Sequence, residues 1–224
     1  MKIIINEKQE NYLRNMLLNE AMGDDFSFDE LKSISSFKGR YNYCISKLGP
    51  TQGRGSSRVV FQISDEKVLK LALNQKGIAQ NRAECDWGLQ QYDVVPEIFN
   101  ESDTDKYYFL VSEYVLPAKE EDFEHIFGFD FITFCQCLVA FWKCYTPQGR
   151  CYISPMDDNS LETLMDENED LNSFYNYMTD YQVMIGDMIR IHNYGMTKRS
   201  GQPQIVLLDS GLTEEIFNTY YKRY

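Results

Sequence analysis

Lys70 stands in the middle of the apolar run VLKLA, residues 68–72. Alternation along a strand turns it to the face opposite Leu69 and Leu71. An ammonium among apolar neighbours is costly to bury alone, so such a lysine lies at an edge or is paired with an anion. Its surroundings narrow the fold. Upstream, LGPTQGRGSSRVVF (48–61) sets Gly53, Gly55, Ser56 and Ser57 directly before strand-like residues. YCISKLG, RVVFQI and KVLKLA read as a three-strand meander, with the glycine stretch and SDE as its turns. Downstream, KGIAQNRAECDWGLQQY reads as a helix and carries Glu84, fourteen residues after Lys70. DVVPEIF and the Tyr/Phe/Val-rich YYFLVSEYV then follow, the second as a strand.

Beyond this region the pattern turns helical. FITFCQCLVAFWKCY repeats its apolar residues at the helical period, and LNSFYNYMTDYQVMIG puts Phe174, Tyr177, Met178, Tyr181 and Ile185 on one face. Between them lies the acidic MDDNSLETLMDENED, expected as a solvated face or loop. NYGMT and QIVLLD flank the turn signal KRSGQP and predict a β-hairpin. Residues 1–35 are amphipathic, with Tyr12, Leu13, Met16 and Leu17 on one side of a helix that Asn6 would cap. That helix either packs on its own domain or docks a partner. The class expected is α+β, in three parts: a helical extension over 1–41, a strand-rich lobe over 42–116 and a helical lobe over 117–224.

The net charge of −12 argues against a broad nucleic-acid or membrane-surface binder, since both targets are anionic. MKIIINEKQ has too short an apolar run for a signal peptide, and no segment approaches transmembrane length, so a soluble cytoplasmic protein is expected. Cys135, Cys137 and Cys144 fall on one predicted helix, where residues two apart do not face each other, so a shared metal would strain it. The cysteines are expected as buried free thiols. Asp166-x-Asn168-x-Asp170 begins like a calcium loop, but Leu171 holds the glycine position and Tyr177 the bidentate glutamate position, which excludes that reading.

A glycine loop between strands, a lysine on the next strand and a glutamate on the following helix supply what nucleotide phosphates need. Backbone N–H groups approach closely where side chains are absent, and a carboxylate holds a cation in place. Here the chain resembles the protein-kinase-like fold, over about residues 42–213. YYFLVSEYVLPA looks like the strand leading into the adenine-contacting hinge, with Glu113 to Val115 as hinge backbone. LNSFYNYMTDYQVMIG is similar to the helix before the catalytic loop. Asp209-Ser210-Gly211 is similar to the metal-binding Asp-Phe-Gly, and Asn193 to the catalytic-loop asparagine that helps hold magnesium. The resemblance implies a small antiparallel-sheet N-lobe with one helix, a truncated helical C-lobe, and ATP and Mg2+ as cofactors. It implies that Gly53, Gly55, Ser56 and Ser57 cover phosphates, that Lys70 and Glu84 pair to orient them, and that Asn193 and Asp209 hold metal.

The departures bear on activity. His-Arg-Asp is absent. Asp187 is the candidate catalytic aspartate, yet it precedes Asn193 by six residues where the family has five. Either the loop carries an extra residue or Asp187 is a structural cap. Arg190 is placed to contact the transferred phosphate instead. Arg58 replaces the third glycine and either touches phosphate or points to solvent. Gln80 and Asn81 either anchor the glycine loop or cap a turn, and His192 is expected to be structural. The chain ends soon after Gly211, which predicts no activation segment and no peptide-docking lobe. RVVFQISDEKVLKLALNQKGIAQNRAE is also similar to uncharacterised bacteriophage proteins of this type. Two functions follow from the resemblance. One is a minimal phosphotransferase using Mg-ATP on an unknown acceptor hydroxyl, which Asp187 activates. The other is an inactive pseudokinase, a protein-interaction module or virion component in phage infection. Nucleotidyl transfer is a third outcome that related folds allow.

Overall fold

YCISKLG, expected as a strand, is the second half of a helix. In the computed structural model, which describes residues 26–86, 88–145 and 155–222, helix α1 spans Phe28–Ser33 and α2 spans Phe37–Leu48. Ser27 and Ser36 cap them, Ser36 Oγ accepting the Gly39 N–H at 3.0 Å. Tyr43, Cys44 and Leu48 are buried at helical spacing, and Gly49 stops the helix at φ 78°. The Ser36 side-chain cap, which satisfies an otherwise orphan N–H, and the Gly49 stop outweigh the β-prone composition of this short stretch. The expected boundary at 41/42 falls inside α2.

The chain divides into two units. The first holds described residues 26–81 and 98–114. Its antiparallel sheet runs β1 (Gly53–Arg54), β2 (Arg58–Gln62), β3 (Lys67–Ala72), β4 (Phe109–Glu113), in that order. Register pairs Val60 with Lys70 and Lys70 with Leu110. Val59, Phe61, Leu69, Leu71, Phe109 and Val111 share one sheet face and are buried with Leu31, Tyr43, Cys44 and Leu48 of α1 and α2. Helix α3 (Gln75–Glu84) starts at Asn74, whose Oδ1 accepts the Gly77 N–H at 3.2 Å, and its last turn from Arg82 belongs to the second unit. Helix α1 falls in the stretch expected as a helical extension, α2 crosses from it into the expected lobe, and both belong to the same unit as the sheet.

The second unit holds described residues 82–97 and 115–222. Leu89–Tyr92 forms a 3-10 turn, so the helix expected through Tyr92 ends at Glu84. Strand β5 (Leu116–Pro117) precedes helices α4 (Glu120–Phe127), α5 (Phe131–Tyr145), α6 (Asp158–Glu167), α7 (Glu169–Tyr181) and the short α8 (Ile185–Met188). Strands β6 (Tyr194–Arg199) and β7 (Gln202–Leu207) and helix α9 (Glu214–Tyr220) close the order. The second sheet is β5-β6-β7, antiparallel. KRSGQP makes the predicted hairpin through Ser200 and Gly201, both at positive φ, as a two-residue turn between twisted strands needs. The acidic stretch, expected as a solvated face or loop, is the solvated face of helix α6 and the start of α7: Asp157 and Asn168 cap the two helices, Glu162, Asp166, Glu167 and Glu169 are exposed, and Leu161 is buried. The core is aromatic, with Phe123, Phe127, Phe134, Phe174 and Tyr194 linked by ring contacts.

The α+β class is as expected. Cys44, Cys85, Cys135 and Cys137 are free thiols, and burial pushes Cys44 and Cys135 up to about 12, which keeps both protonated. Among the described residues no single helix is long and apolar enough to cross a membrane. The expected helix carrying Tyr12, Leu13, Met16 and Leu17, the Cys144 side chain and Cys151 lie outside the described residues.

Candidate functional site

In the second unit, β6 and β7 deliver two of the expected site residues. Asn193 precedes β6, Asp209 follows β7, and Tyr194 pairs with Leu207. The ladder continues one step further, because the Leu208 N–H donates to the Asn193 carbonyl at 2.7 Å. Asn193 also ties back to α8: its Nδ2 donates to the Asp187 carbonyl at 2.8 Å. Tyr194 supports the same helix, its hydroxyl donating to the Met188 carbonyl at 2.6 Å. Asp187, Asn193 and Asp209 are thus brought together, although Asp187 and Asp209 lie 22 positions apart in the chain with a full hairpin between them.

The Asp187 carboxyl is 18% exposed, and burial, then the neighbouring Asp209 charge, holds its pKa above the ordinary carboxylate value. Arg190 and His192 act against that rise, Arg190 Nη1 lying 3.6 Å from Asp187 Oδ1. The Asn193 nitrogen is committed to a carbonyl, so its oxygen is the atom it offers a cation. An aspartate and an amide oxygen are hard donors of the kind magnesium takes when phosphates and waters complete its octahedron. Among the described residues no three His, Cys, Asp or Glu side chains gather as a metal-binding group. Asp209 and Asn193, the two expected ligands, carry the oxygen donors that a cation shared with a phosphate would need.

Asp209 is followed by a peptide gripped from both sides. The Tyr177 hydroxyl donates to the Ser210 carbonyl at 3.0 Å, and the Gly211 N–H donates to Glu84 Oε1 at 3.2 Å. Beyond it, Met184 N–H donates to the Leu212 carbonyl, Glu214 N–H donates to the Gln182 carbonyl, and Val183 bridges Thr213. Glu84, expected as the partner of Lys70, is 1% exposed, and its Oε1 accepts the Gly211 N–H of the Asp-Ser-Gly turn. The sequence presents Tyr177 only as a core-face residue. A buried phenol keeps a hydroxyl that needs an acceptor, and that is the one signal available for its role.

The remaining expected residues, Val115 apart, belong to the first unit. Lys70 is 7% exposed and faces away from Leu69 and Leu71, on the side of the sheet that also carries Arg58, Gln62 and Ser112. Arg58 is buried, and its Nη1 donates to Asn81 Oδ1 at 3.4 Å, so it does not point to solvent. Asn81 in turn donates to the carbonyls of Tyr107 and Lys70. Gly53 pairs with Val60, and the Gly55 N–H donates to the Arg58 carbonyl at 2.9 Å. The Ser56 carbonyl accepts from Asn74 Nδ2 at 3.0 Å. The Ser57 hydroxyl donates to Gln80 Oε1, and its carbonyl accepts the Leu73 N–H. Gln80 therefore anchors the glycine loop. Glu113 ends β4 opposite Lys67, and the division between the units falls between Tyr114 and Val115. Lys70 and the glycine loop lie in one unit, and Glu84, Asp187, Asn193 and Asp209 in the other.

Comparison of the chain with models of known families, with curated proteins and with solved structures returned no match.

Proposed function

We propose that the chain is a kinase-like domain that binds ATP with magnesium and acts as a minimal phosphotransferase on a hydroxyl acceptor. The observation that carries this reading is the frame joining Asn193, Asp187 and Asp209 through the Leu208–Asn193 and Asn193–Asp187 hydrogen bonds. Asp209 and Asn193 would hold the metal, which when bound neutralises charge on the phosphates. Asp187, with its raised pKa, is a stronger proton acceptor than an ordinary aspartate and stands beside Asp209 to receive the acceptor proton. Lys70 supplies the cation for the phosphates, and the Glu113–Val115 backbone supplies adenine contacts. In the loop, Gly55 N–H and the Ser57 hydroxyl are already used, so its contribution is a small, fixed surface.

Calorimetric titration of the full chain with ATP, with and without magnesium, tests this. Magnesium-dependent binding that Asp209→Asn loses supports it, and absence of binding by the native protein overturns it. The mass gained by the acceptor separates phosphoryl from nucleotidyl transfer.

One observation favours the second reading, a pseudokinase acting as an interaction module or virion component. Arg190 Nη1 lies 3.6 Å from the Asp187 carboxylate and lowers its proton affinity, against the larger raising effects of burial and Asp209. That reading expects ATP to bind without loss of its γ-phosphate, and a protein partner that is retained equally by Lys70→Ala.

A further inference from the structure

The Ser210 carbonyl and the Gly211 N–H are the two polar groups of a single peptide unit, and in a trans peptide they point in opposite directions. Both are taken by buried side chains from different helices. Tyr177 of α7 donates to the carbonyl at 3.0 Å, and Glu84 of α3 accepts the N–H at 3.2 Å. Rotation of this peptide plane would break both bonds at once and leave buried polar groups unsatisfied, a costly outcome on either side. The residue just before the plane is Asp209, whose other flank is fixed by the Leu208–Asn193 bond. We infer that Tyr177 is a positioning residue: with Glu84 it locks the Ser210–Gly211 peptide and thereby aims the Asp209 carboxylate at the cation bound with Asn193.

This rests on the proposed magnesium-nucleotide reading for its purpose, but not for its geometry. Burial, then the Glu84 charge, pushes the Tyr177 hydroxyl well above its ordinary pKa, so it remains a donor at any physiological pH. Its ring packs against Tyr92 and Tyr181 at centroid distances of 6.2 and 5.7 Å, which Phe would preserve. The hydroxyl can therefore be removed with little change in packing.

Two arms, on the full chain carrying Tyr177→Phe or Glu84→Ala, decide the matter. In the first, hydrogen exchange of the Gly211 amide is followed by NMR without ligand, with the β6–β7 amides as internal reference. A loss of protection at Gly211 of about tenfold or more relative to that reference is expected in both variants. Unchanged relative protection overturns the lock. In the second, the magnesium concentration giving half-maximal thermal stabilisation is measured in saturating ATP. A rise of about tenfold in Tyr177→Phe, with ATP-only stabilisation unaltered, is expected of a positioning residue. A lower melting temperature with an unmoved magnesium midpoint overturns the positioning role and leaves Tyr177 as packing alone. A native protein with no magnesium response overturns the nucleotide reading and with it the positioning role, while the exchange arm still judges the lock.

Discussion

The Leu208 N–H donates to the Asn193 carbonyl at 2.7 Å, so the residue before Asp209 is hydrogen-bonded directly to the other candidate metal ligand. The two residues cannot slip in register without breaking the β6–β7 ladder that holds Tyr194 against Leu207. Two candidate ligands fixed to one hairpin are pre-organised, and binding of a cation would then cost little further ordering.

The first expectation follows from linkage. Ligand at a hundred times its dissociation constant stabilises the native state by about 2.7 kcal/mol. For a chain of this length that raises the melting temperature by about 5–10 °C. Native protein should show such a shift with ATP and magnesium together. Asp209→Asn should keep its unliganded melting temperature within a few degrees and lose the magnesium-dependent part of the shift. Scanning fluorimetry reads both, and an undiminished magnesium response in the variant would refute the assignment of Asp209.

Asn193→Ala separates support from ligation. It deletes the Nδ2 bond to the Asp187 carbonyl and the amide oxygen together. Loss of a half-buried hydrogen bond that leaves its acceptor unpaired costs about 1–3 kcal/mol, so urea unfolding should shift to a lower midpoint. Asn193→Asp restores an oxygen ligand but not the donor, and it faces the Asp187 carbonyl with negative charge. It should be at least as unstable as the alanine variant without magnesium. A fully native urea midpoint for Asn193→Asp would show that the Asn193–Asp187 bond carries no weight.

Asp187→Asn should stabilise the fold at neutral pH. The Asp187 pKa is raised in the folded state by burial and by Asp209, so the folded chain binds this proton more tightly than the unfolded chain. Its contribution is fully present below the unfolded carboxylate value of about 3.9 and is lost as pH rises through the elevated folded value. At pH 7 the native protein holds a disfavoured charge that asparagine removes, and below about pH 4 the two proteins should converge. Melting temperatures across a range of about pH 3–8 test the sign. A variant less stable than the native protein at neutral pH would mean that the Arg190 pair outweighs burial and the Asp209 charge. The same substitution should abolish any acceptor labelling, the trade expected when a carboxylate is kept for chemistry.

What the sequence reveals is local. The turn of Lys70 to the face opposite Leu69 and Leu71 is legible because strand alternation needs no partner, and the β6–β7 hairpin because Ser200-Gly201 is a turn chemistry in itself. Helix α5 is legible from fifteen residues of unbroken periodicity. YCISKLG is not, since a short apolar run fits either period and the cap that decides it, Ser36, lies seven residues before the stretch begins at Tyr43. The grip on the Asp-Ser-Gly turn is not legible either. Tyr177 reaches Ser210 across 33 residues and Glu84 reaches Gly211 across 127, and no local pattern records contacts that only tertiary folding makes.

Gly77→Ala sets two effects against each other, and distances decide the sign. Within a helix, alanine is favoured over glycine by about 1 kcal/mol. At position 77 an added Cβ would lie 2.3 Å from the Ser57 carbonyl oxygen and 3.0 Å from the Ala72 Cα. Both are backbone atoms, so neither can swing aside as a side-chain tip would. The glycine loop or the start of α3 must move instead, which strains the Ser57–Gln80 bond and the Leu73–Ser57 bond. Overpacking of this kind costs about 1–3 kcal/mol, more than the helix preference returns. Gly186→Ala is the matched control, because an added Cβ there meets nothing within 4 Å. Thermal unfolding should therefore show Gly77→Ala melting below the native protein and Gly186→Ala at or above it. Limited proteolysis should cut the Gly77→Ala protein faster within residues 50–58, where the loop has lost its anchor. If Gly77→Ala melts at or above the native temperature with the loop still protected, then Gly77 is not what lets α3 close on the loop, and the anchored geometry around Ser57 and Gln80 must be set by other contacts.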